Sequence, residues 1–326
     1  MLKRLSKSGF LLQFILFLAL GTLFWFPAFM HPKPASMIES AGPLYRMIAG
    51  WLGGDASFSV ILAAVLLVAE AFALHALFSS HDLIPRDSFI DAIIFLICMS
   101  WNPELLYLNP AITAGIFILF ALFMMMRMYG RTEPFQEILS ASLSIAVASL
   151  IFQPASWFFI GLWIGLLTYR ITSWREWVIS LIGMALPLIY MVSIYYLQGT
   201  LNENWVFLIA PFQEISIDIA PFSSGEISFL AAALFMLFYA SAATLNSVSD
   251  KLISIRRKTW IITDFSLAGL FSILVAHSAM KIGQLLLMAP LAFFLTYAAI
   301  SIKKSRFNNF IIVIFLLFVI VIHYIL

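Results

Sequence analysis

Charged residues are scarce in this chain. Lys, Arg, Asp and Glu make up 10% of its 326 residues, hydrophobic residues make up 63%, and the mean hydropathy is +1.03. Because so little polar surface cannot coat a soluble globule of this length, the composition excludes an ordinary soluble enzyme. The net charge of +2 is too small to provide a basic surface, so no nucleic-acid partner is predicted.

Cysteine and clustered metal ligands are also lacking. Cys98 is the only cysteine, which excludes an internal disulfide and any metal site built from cysteines. The five histidines show no ligand spacing, so no metal site is predicted from them. The motifs of phosphate-binding loops, zinc proteases, serine hydrolases and CxxC redox proteins do not occur. No local motif therefore defines an activity.

Long apolar runs are what the chain does contain. Because about 20 apolar residues form a helix that crosses the hydrocarbon layer, the chain is predicted to be an all-α, polytopic transmembrane helical bundle of about eleven spans. The candidate spans are Phe10–Phe29, Ala56–Ser79, Ser88–Trp101, Pro110–Met128, Pro134–Phe152, Ser156–Tyr169, Trp177–Leu197, Ile227–Leu245, Trp260–His277, Ile282–Ile300 and Phe310–Leu326. The third and sixth candidates have only 14 residues each.

Lys and Arg occur in every second gap between these runs. Cytoplasmic loops of membrane proteins retain positive charge, so the alternation predicts a cytoplasmic N-terminus, an exported C-terminus and a place in the bacterial inner membrane. The first run follows three cations and ends in Phe-Pro, which indicates a retained anchor rather than a cleaved signal. The predicted outer side keeps 3 of the 18 cations, namely Lys33, Arg46 and Lys281.

Three of the predicted outer loops have distinct compositions. Met30–Asp55 contains apolar residues at helical spacing, which predicts an amphipathic helix on the outer membrane surface over Pro43–Leu52. A short outer turn that carries Glu104 is bracketed by Asn102-Pro103 and Asn109-Pro110, because Pro suits the first turn of a helix. Gln198–Glu226 is acidic, lacks Lys and Arg, and is predicted to lie at the membrane interface.

Glu70 lies well inside the second run. An ionisable group at that depth costs a few kcal/mol unless it pairs, protonates or faces water. With His75 five residues further on, it is a candidate proton or cation relay. The alternative is a protonated or hydrogen-bonded Glu that holds helices together.

Few cations lie on the predicted outer side, whereas several carboxylates there are available for chemistry. A lipid-linked phosphate needs several cations, and the alternative is that these residues only anchor helix ends. The candidate lipid-phosphate ligands are Lys33, Arg46, His277 and Lys281. The candidate acid–base residues are Glu39, Asp55 and Glu104.

Three segments occur in a recognisable order: the loop Met30–Asp55, the turn from Trp101-Asn102-Pro103-Glu104 to Asn109-Pro110, and the turn Gln153-Pro154-Ala155-Ser156. Over Phe10–Gln198 this order resembles the membrane glycosyltransferases of the GT-C type. The resemblance implies a polyprenyl-phosphate-linked sugar donor. It also implies an acidic residue in the first exported loop, which here is Glu39 or, less well, Asp55.

The resemblance implies a domain organisation as well. Residues 1–198 are expected to form a GT-C-like core of seven spans with the exported loop 30–55, followed by the acidic loop 199–226 and a four-span bundle over 227–326. The usual close pair of acidic residues is missing from the first loop, and the C-terminal half ends in a span rather than an exported domain. The chain also resembles multi-span bacterial inner-membrane proteins of uncharacterised function.

Three functions are compatible with these observations. The first is a GT-C-like transferase or lipid-phosphate-sugar-binding protein at the outer face, the one function for which a divalent cation is expected. The second is a lipid or solute transporter that uses Glu70 and His75. The third is a non-catalytic subunit whose acidic outer loop binds other envelope membrane proteins. All three place the chain among membrane lipids.

Overall fold

The computed structural model of the chain describes residue 6 and residues 9–38, 40–201, 223–249, 251–275, 280–301 and 305–325. Within these ranges the fold is all-helical, and the only β-type pairing is an isolated antiparallel bridge between Ala41 and Phe152. The predicted fold class, an all-α bundle, is confirmed.

The helices follow one another with short connections. The α-helices are α1 (Phe10–Met30), α2 (Pro43–Trp51), α3 (Ala56–Ser80), α4 (Ile90–Met99), α5 (Pro110–Arg127), α6 (Phe135–Ile151), α7 (Phe158–Thr168), α8 (Trp174–Leu197), α9 (Ser224–Val248), α10 (Ile253–Val275), α11 (Met280–Gly283), α12 (Met288–Ser301) and α13 (Ser305–Ile325). Short 3-10 helices occupy Pro103–Leu105, Gln153–Trp157 and Gln284–Leu287.

Seven helical segments in the described ranges are long and apolar enough to cross a membrane, with mean hydropathies between 1.7 and 2.5. They are α1, α3, α5, α8, α9, the segment Met280–Ile300 and the part of α13 from Phe307 to Ile325. The chain is therefore a helical membrane protein with several transmembrane helices, as its composition predicts.

Helices occur at all eleven predicted positions, but they differ in length. The predicted spans Ser88–Trp101 and Ser156–Tyr169 contain helices of only 10 and 11 residues, α4 and α7. At 1.5 Å per residue these helices are about 15 Å and 17 Å long, which is half the thickness of the hydrocarbon layer. Neither crosses a membrane by its helix alone, and eleven complete spans remain a prediction.

The short helix α4 lies in the centre of the bundle, where all ten of its residues are buried. It packs against α1, α3, α12 and α13. The segment Met280–Ile300 is 94% buried, whereas only 17% of the α8 span is buried. Because the longer peripheral helices shield it from lipid, α4 does not need the length of a membrane span.

Several loops meet at one end of the bundle, here called the Glu226 end. It comprises residues 31–38, 40–55, 100–109, 152–156, 223–226 and 281. The Ser36 amide donates to the Leu108 carbonyl at 3.0 Å, and the Gln153 amide donates to the Ser40 carbonyl at 3.2 Å. The His323 Nδ1 near the end of α13 lies 2.7 Å from the Ser100 carbonyl. These are loops that the charge pattern assigns to the outer side.

The opposite end, here called the Asp91 end, comprises residues 81–91, 127–137, 168–176 and 251–259. There the Lys258 ammonium lies 3.2 Å from His81 Nδ1, and Arg257 Nη1 donates to the Tyr169 carbonyl at 3.4 Å. The Phe89 amide donates to the side chain of Gln13, near the start of α1. These loops are the ones predicted to be cytoplasmic, so the two predicted loop sets gather at opposite ends.

Candidate functional site

A tight turn after α4 forms the centre of the Glu226 end. Pro103 begins its 3-10 helix, and the Asn102 Oδ1 accepts a hydrogen bond from the Glu104 amide at 2.8 Å. The fully buried Trp101 ring stacks on Phe229 of α9 with 4.0 Å between ring centroids and 1° between the planes. Stacking and capping together fix the direction in which Glu104 leaves the bundle.

Glu226 connects the turn to two other segments. Its carboxylate accepts from the Ser223 amide while Ser223 Oγ accepts from the Glu226 amide, a capping box that begins α9. Oε1 also accepts from the Asn102 amide nitrogen at 3.2 Å, and Oε2 lies 2.7 Å from the Lys281 ammonium. The Glu226 side chain is only 3% exposed, so this ion pair is largely shielded from water.

A second ion pair at this end is open to solvent. The Lys33 ammonium lies 3.8 Å from Glu104 Oε1, and the two side chains are 52% and 64% exposed. An exposed pair of this kind contributes little stability. Burial and the nearby Glu104 carboxylate raise the pKa of the Tyr107 hydroxyl, which therefore stays protonated beside the pair. Lys33 and Glu104 are thus accessible to a ligand.

The first long loop is docked on this turn rather than extended into solvent. The Tyr45 hydroxyl donates to the Leu108 carbonyl at 2.7 Å, and the Leu108 amide donates to Ser59 Oγ of α3 at 3.1 Å. At Gly42 a Cβ atom would collide with the Leu150 carbonyl, so only glycine permits this approach of the loop to α6.

The surface helix α2 confirms the amphipathic segment predicted over Pro43–Leu52. Tyr45 and Ala49 are buried against the bundle, while Met47 and Trp51 are exposed, Trp51 by 86%. Arg46 Nε donates to the Ala41 carbonyl at 3.1 Å, and its charge acts on Tyr195 near the end of α8. Exposed apolar side chains beside an Arg are typical of a helix that lies in the membrane interface.

An apolar groove runs along the side of the bundle between α1, α3 and α4. It has a volume of about 170 Å³ and is lined on α1 by one helical face that includes Phe17, Gly21, Trp25 and Phe29. From Phe17 to Phe29 this face is about 18 Å long. Phe29 is 46% exposed, so the groove is open towards the side, and Lys33 follows four residues further along the chain.

The structure brings together three of the predicted site residues. Lys33, Glu104 and Lys281 all lie around the Trp101–Leu105 turn. Asp55 instead caps α3, where its Oδ1 accepts from the Ser57 and Phe58 amides at 2.9 and 3.2 Å. Arg46 is on α2. The predicted residues Glu39 and His277 lie outside the described residues.

Glu70 and His75, the two residues of the predicted relay, have different neighbours. His75 Nδ1 lies 3.0 Å from Asp91 Oδ1, and the Asp91 side chain is completely buried. On an α-helix, residues five apart point about 140° away from each other, which is why one neighbour can satisfy His75 while Glu70 faces another. Glu70 itself is 1% exposed, and its Oε1 has no hydrogen-bond partner in the described part of the chain.

Two residues of these ionic clusters were not singled out by the sequence analysis. Glu226 counted as one of several loop acids, although the spacing Ser223-x-x-Glu226 before an apolar run is the signature of a capping box. Asp91 is the second, and no sequence signal pairs it with His75. Its partner is determined by the packing of α3 against α4.

Across the ranges the structure covers, no three His, Cys, Asp or Glu side chains gather as metal ligands. Glu104 does not form a suitable site for a divalent cation, because the Lys33 ammonium already compensates the negative charge of its carboxylate. Comparison of the chain with known protein families, curated proteins and solved structures gives no match.

Proposed function

We propose that this protein binds a polyprenyl-phosphate-linked sugar at the Glu226 end and acts there as a GT-C-like glycosyltransferase. The observation that carries the proposal is the exposed Lys33–Glu104 ion pair, in which Lys33 follows Phe29 of the apolar groove by four residues. A lipid-linked sugar needs both features side by side. One takes the hydrocarbon chain, and the other takes the charged headgroup.

The groove supports the part of the proposal that concerns the lipid. Its lining is apolar apart from Thr22, with Phe17, Trp25 and Phe29 on one wall and Leu67 on another. At about 18 Å long and 170 Å³ in volume, it suits one hydrocarbon chain rather than a bulky ring system. Burying such a chain contributes about 0.8 kcal/mol per methylene group moved from water, but far less when it comes from lipid.

Lys33 supports the headgroup part. A phosphate that leaves the groove beyond Phe29 would meet the Lys33 ammonium, the nearest cation along the chain. Lys281 is held by the buried Glu226, so in this proposal it maintains the shape of the site rather than binding the phosphate first. When a phosphate binds Lys33, it replaces the exposed Glu104 as the partner of that ammonium. The Glu104 carboxylate is then available for acid–base chemistry.

The proposed reaction is transfer of the sugar to a hydroxyl group. The hydroxyl oxygen of the acceptor forms a bond to the anomeric carbon while the bond from that carbon to the phosphate oxygen breaks. The hydroxyl proton passes to Glu104, and the polyprenyl phosphate leaves with the electron pair, its charge stabilised by Lys33. Asn102 keeps the Glu104 backbone in place through the hydrogen bond of the turn.

The orientation in the membrane is part of the proposal. We place the Glu226 end on the exported face of a bacterial inner membrane and the cation-rich Asp91 end in the cytoplasm. Support comes from the charge pattern, because 15 of the 18 Lys and Arg residues lie in loops assigned to the cytoplasm. Contacts among the described loops support this assignment, because loops predicted to be outer contact one another at the Glu226 end and loops predicted to be cytoplasmic do so at the Asp91 end.

Binding is tested first. Purified protein in nanodiscs receives polyprenyl phosphate, and the bound lipid is counted by native mass spectrometry, with the uncharged polyprenol and phosphatidylglycerol as comparison lipids. We expect preference for polyprenyl phosphate and a loss of at least about tenfold in affinity for Lys33→Gln, because a hydrogen bond to a charged group contributes 1.5–3 kcal/mol. Lys251→Gln at the Asp91 end is the matched control. Equal binding of all three lipids would overturn the proposal.

Transfer is tested second, with a polyprenyl-phosphate-linked hexose in vesicles. Glu104→Gln should abolish transfer to an acceptor hydroxyl while retaining lipid binding, and Glu133→Gln, an exposed Glu at the Asp91 end, should leave transfer unchanged. Transfer that survives in Glu104→Gln would remove Glu104 from the reaction. Specific binding with no transfer in the wild type would reduce the proposal to a lipid-phosphate-sugar-binding protein.

A further inference from the structure

Glu70 occupies an unusual position that the proposed transferase site does not use. It lies on α3, about 21 Å from the Ala56 end and about 15 Å from the Ser80 end of that helix. Its side chain is 1% exposed, and Oε1 has no partner among the described residues. A buried carboxyl that only held helices together would be expected to make hydrogen bonds to them.

A small cavity lies against the Glu70 carboxyl. Its volume is about 20 Å³, and Glu70 shares its lining with apolar residues of four elements, among them Met99, Gly115, Leu286 and Ala289. A space of this size holds one water molecule and nothing larger. No organic substrate fits beside Glu70.

Gly115 of α5 shows how closely the carboxyl is fitted. A Cβ atom at this position would collide with Glu70 Oε1. Gly in the middle of a helix costs about 0.5–1 kcal/mol relative to Ala, so Gly115 lowers the intrinsic stability of α5. The glycine therefore makes room for the carboxyl group.

The residues around Glu70 determine which ligand its carboxyl group can bind. A metal cation would need several further oxygen ligands, and the cavity lining offers apolar side chains only. Nor does any charged side chain line it among the described residues. The charged groups on the walls lie at the helix ends: Asp91 on α4, Arg127 on α5 and Lys281 on α11. An ionised carboxylate without partners is costly in this environment, and a proton removes that cost.

Two of the segments that line the cavity reach the Glu226 end within about one helical turn. Met99 lines the cavity and Asn102 contacts Glu226, while Leu285 and Leu286 line it and Lys281 pairs with Glu226. Between Lys281 and Leu285 lies Gln284, which is 0% exposed and whose two amide atoms lack partners among the described residues. Here the helix is also broken into a 3-10 segment, a form that membrane proteins tolerate where backbone lines a buried cavity.

We propose that Glu70 is a proton-binding site inside the membrane and that it exchanges its proton with the Glu226 end past Gln284. One water in the cavity and the Gln284 amide are the polar stepping stones between the carboxyl and the Asn102–Glu226–Lys281 cluster. The Glu70 carboxyl group releases one proton to water, where it becomes hydronium, and takes up another proton from hydronium. The exchange therefore leaves the charge of the site unchanged. This site does not depend on the lipid-phosphate proposal.

Occupancy of the site is tested by infrared spectroscopy of the protein in liposomes. A protonated carboxylic acid has a carbonyl stretching band that shifts in D2O, and we expect one such band that disappears in Glu70→Gln. Glu70→Asp should move the band rather than remove it. A wild-type protein without a band of this kind would overturn the proposal, and so would a band that persists unchanged in Glu70→Gln.

The route is tested by the rate at which the band shifts after transfer from H2O to D2O. Gln284→Leu should slow this exchange at least about tenfold, because it removes the buried amide without removing volume. Gln153→Leu, another amide at the same end, is the matched control and should leave the rate unchanged. An unchanged rate in Gln284→Leu would exclude this route, even if the band of Glu70 is present.

Discussion

The Lys281 ammonium lies 2.7 Å from the Glu226 carboxylate, and this pair joins the start of α9 to the start of α11 at the end of the bundle that carries the candidate site. Glu226 also accepts from Asn102, so three segments of the chain converge on one carboxylate. The exposed residues Lys33 and Glu104 depend on this arrangement, because Asn102 also holds the Glu104 backbone.

Removal of Lys281 should therefore be costly. Lys281→Met leaves a Glu226 carboxylate that is 3% exposed without its cation, and we expect a loss of about 3 kcal/mol in the free energy of unfolding. The double variant Glu226→Gln/Lys281→Met should recover part of that loss, since it removes the uncompensated charge. Thermal unfolding in detergent, compared across Lys281→Met, Glu226→Gln, the double variant and the wild type, measures the coupling. Strict additivity of the two single changes would contradict it.

The effects of substitutions at Gly115 and Glu70 on stability should also be non-additive. Gly115→Ala places a Cβ atom where Glu70 Oε1 lies, so we expect a destabilisation of about 1–3 kcal/mol from overpacking. In a Glu70→Ala background the same change should be neutral or favourable, because the obstacle is gone and Ala favours the helix. The control is Gly50→Ala on α2, where a Cβ atom meets nothing within 4 Å. Equal effects of Gly115→Ala in both backgrounds would disprove the contact.

Much of the fold was predictable because the apolar runs are long and their ends carry specific signals. The predicted span Ala56–Ser79 is the helix Ala56–Ser80, which begins after the capping Asp55. Pro110–Arg127 likewise begins after Asn109, whose side chain accepts from the Ile112 amide. The run Ser88–Trp101 was longer than its helix, because apolar composition does not distinguish helical residues from buried cap residues such as Phe89.

The candidate site was predictable only as separate residues. Lys33 and Lys281 stood out because cations are rare on that side, and Glu104 because it lies in a tight turn between two prolines. Their arrangement depends on the contact between Asn102 and Glu226, which are 124 positions apart. Sequence spacing carries no information about such a contact. The same is true of the contact between His75 and Asp91, which belong to different helices.

Asp55 should affect stability rather than binding. Its carboxylate caps α3 by accepting from two backbone amides, so Asp55→Ala should cost about 1 kcal/mol in the free energy of unfolding. Asp55→Ser, which retains an N-cap acceptor, should lose much less. Both variants should bind polyprenyl phosphate as the wild type does. A transfer defect in Asp55→Ser at unchanged stability would instead assign Asp55 to the reaction, as the GT-C resemblance allows.

His81 should make the stability of the Asp91 end depend on pH. It follows α3, and burial together with the charges of Lys258 and Arg127 lowers its pKa from 6.5 to about 4. Between these two values the unfolded chain binds more protons than the folded one, so stability is fully present above about pH 6.5 and is lost as the pH falls toward 4. The neutral ring accepts from the Lys258 ammonium at 3.2 Å, and a protonated ring could not.

Unfolding temperatures measured at several pH values in this window, for the wild type and for His81→Gln, check this prediction. Gln can still accept from Lys258 and has no charge to gain, so the variant should lose the part of the acid sensitivity that His81 supplies. His75→Gln is the comparison at the same end, because His75 contacts Asp91 and not Lys258. If His81→Gln followed the wild-type curve throughout the window, the acid sensitivity would belong to other groups, and the Lys258–His81 contact would not govern the stability of this end.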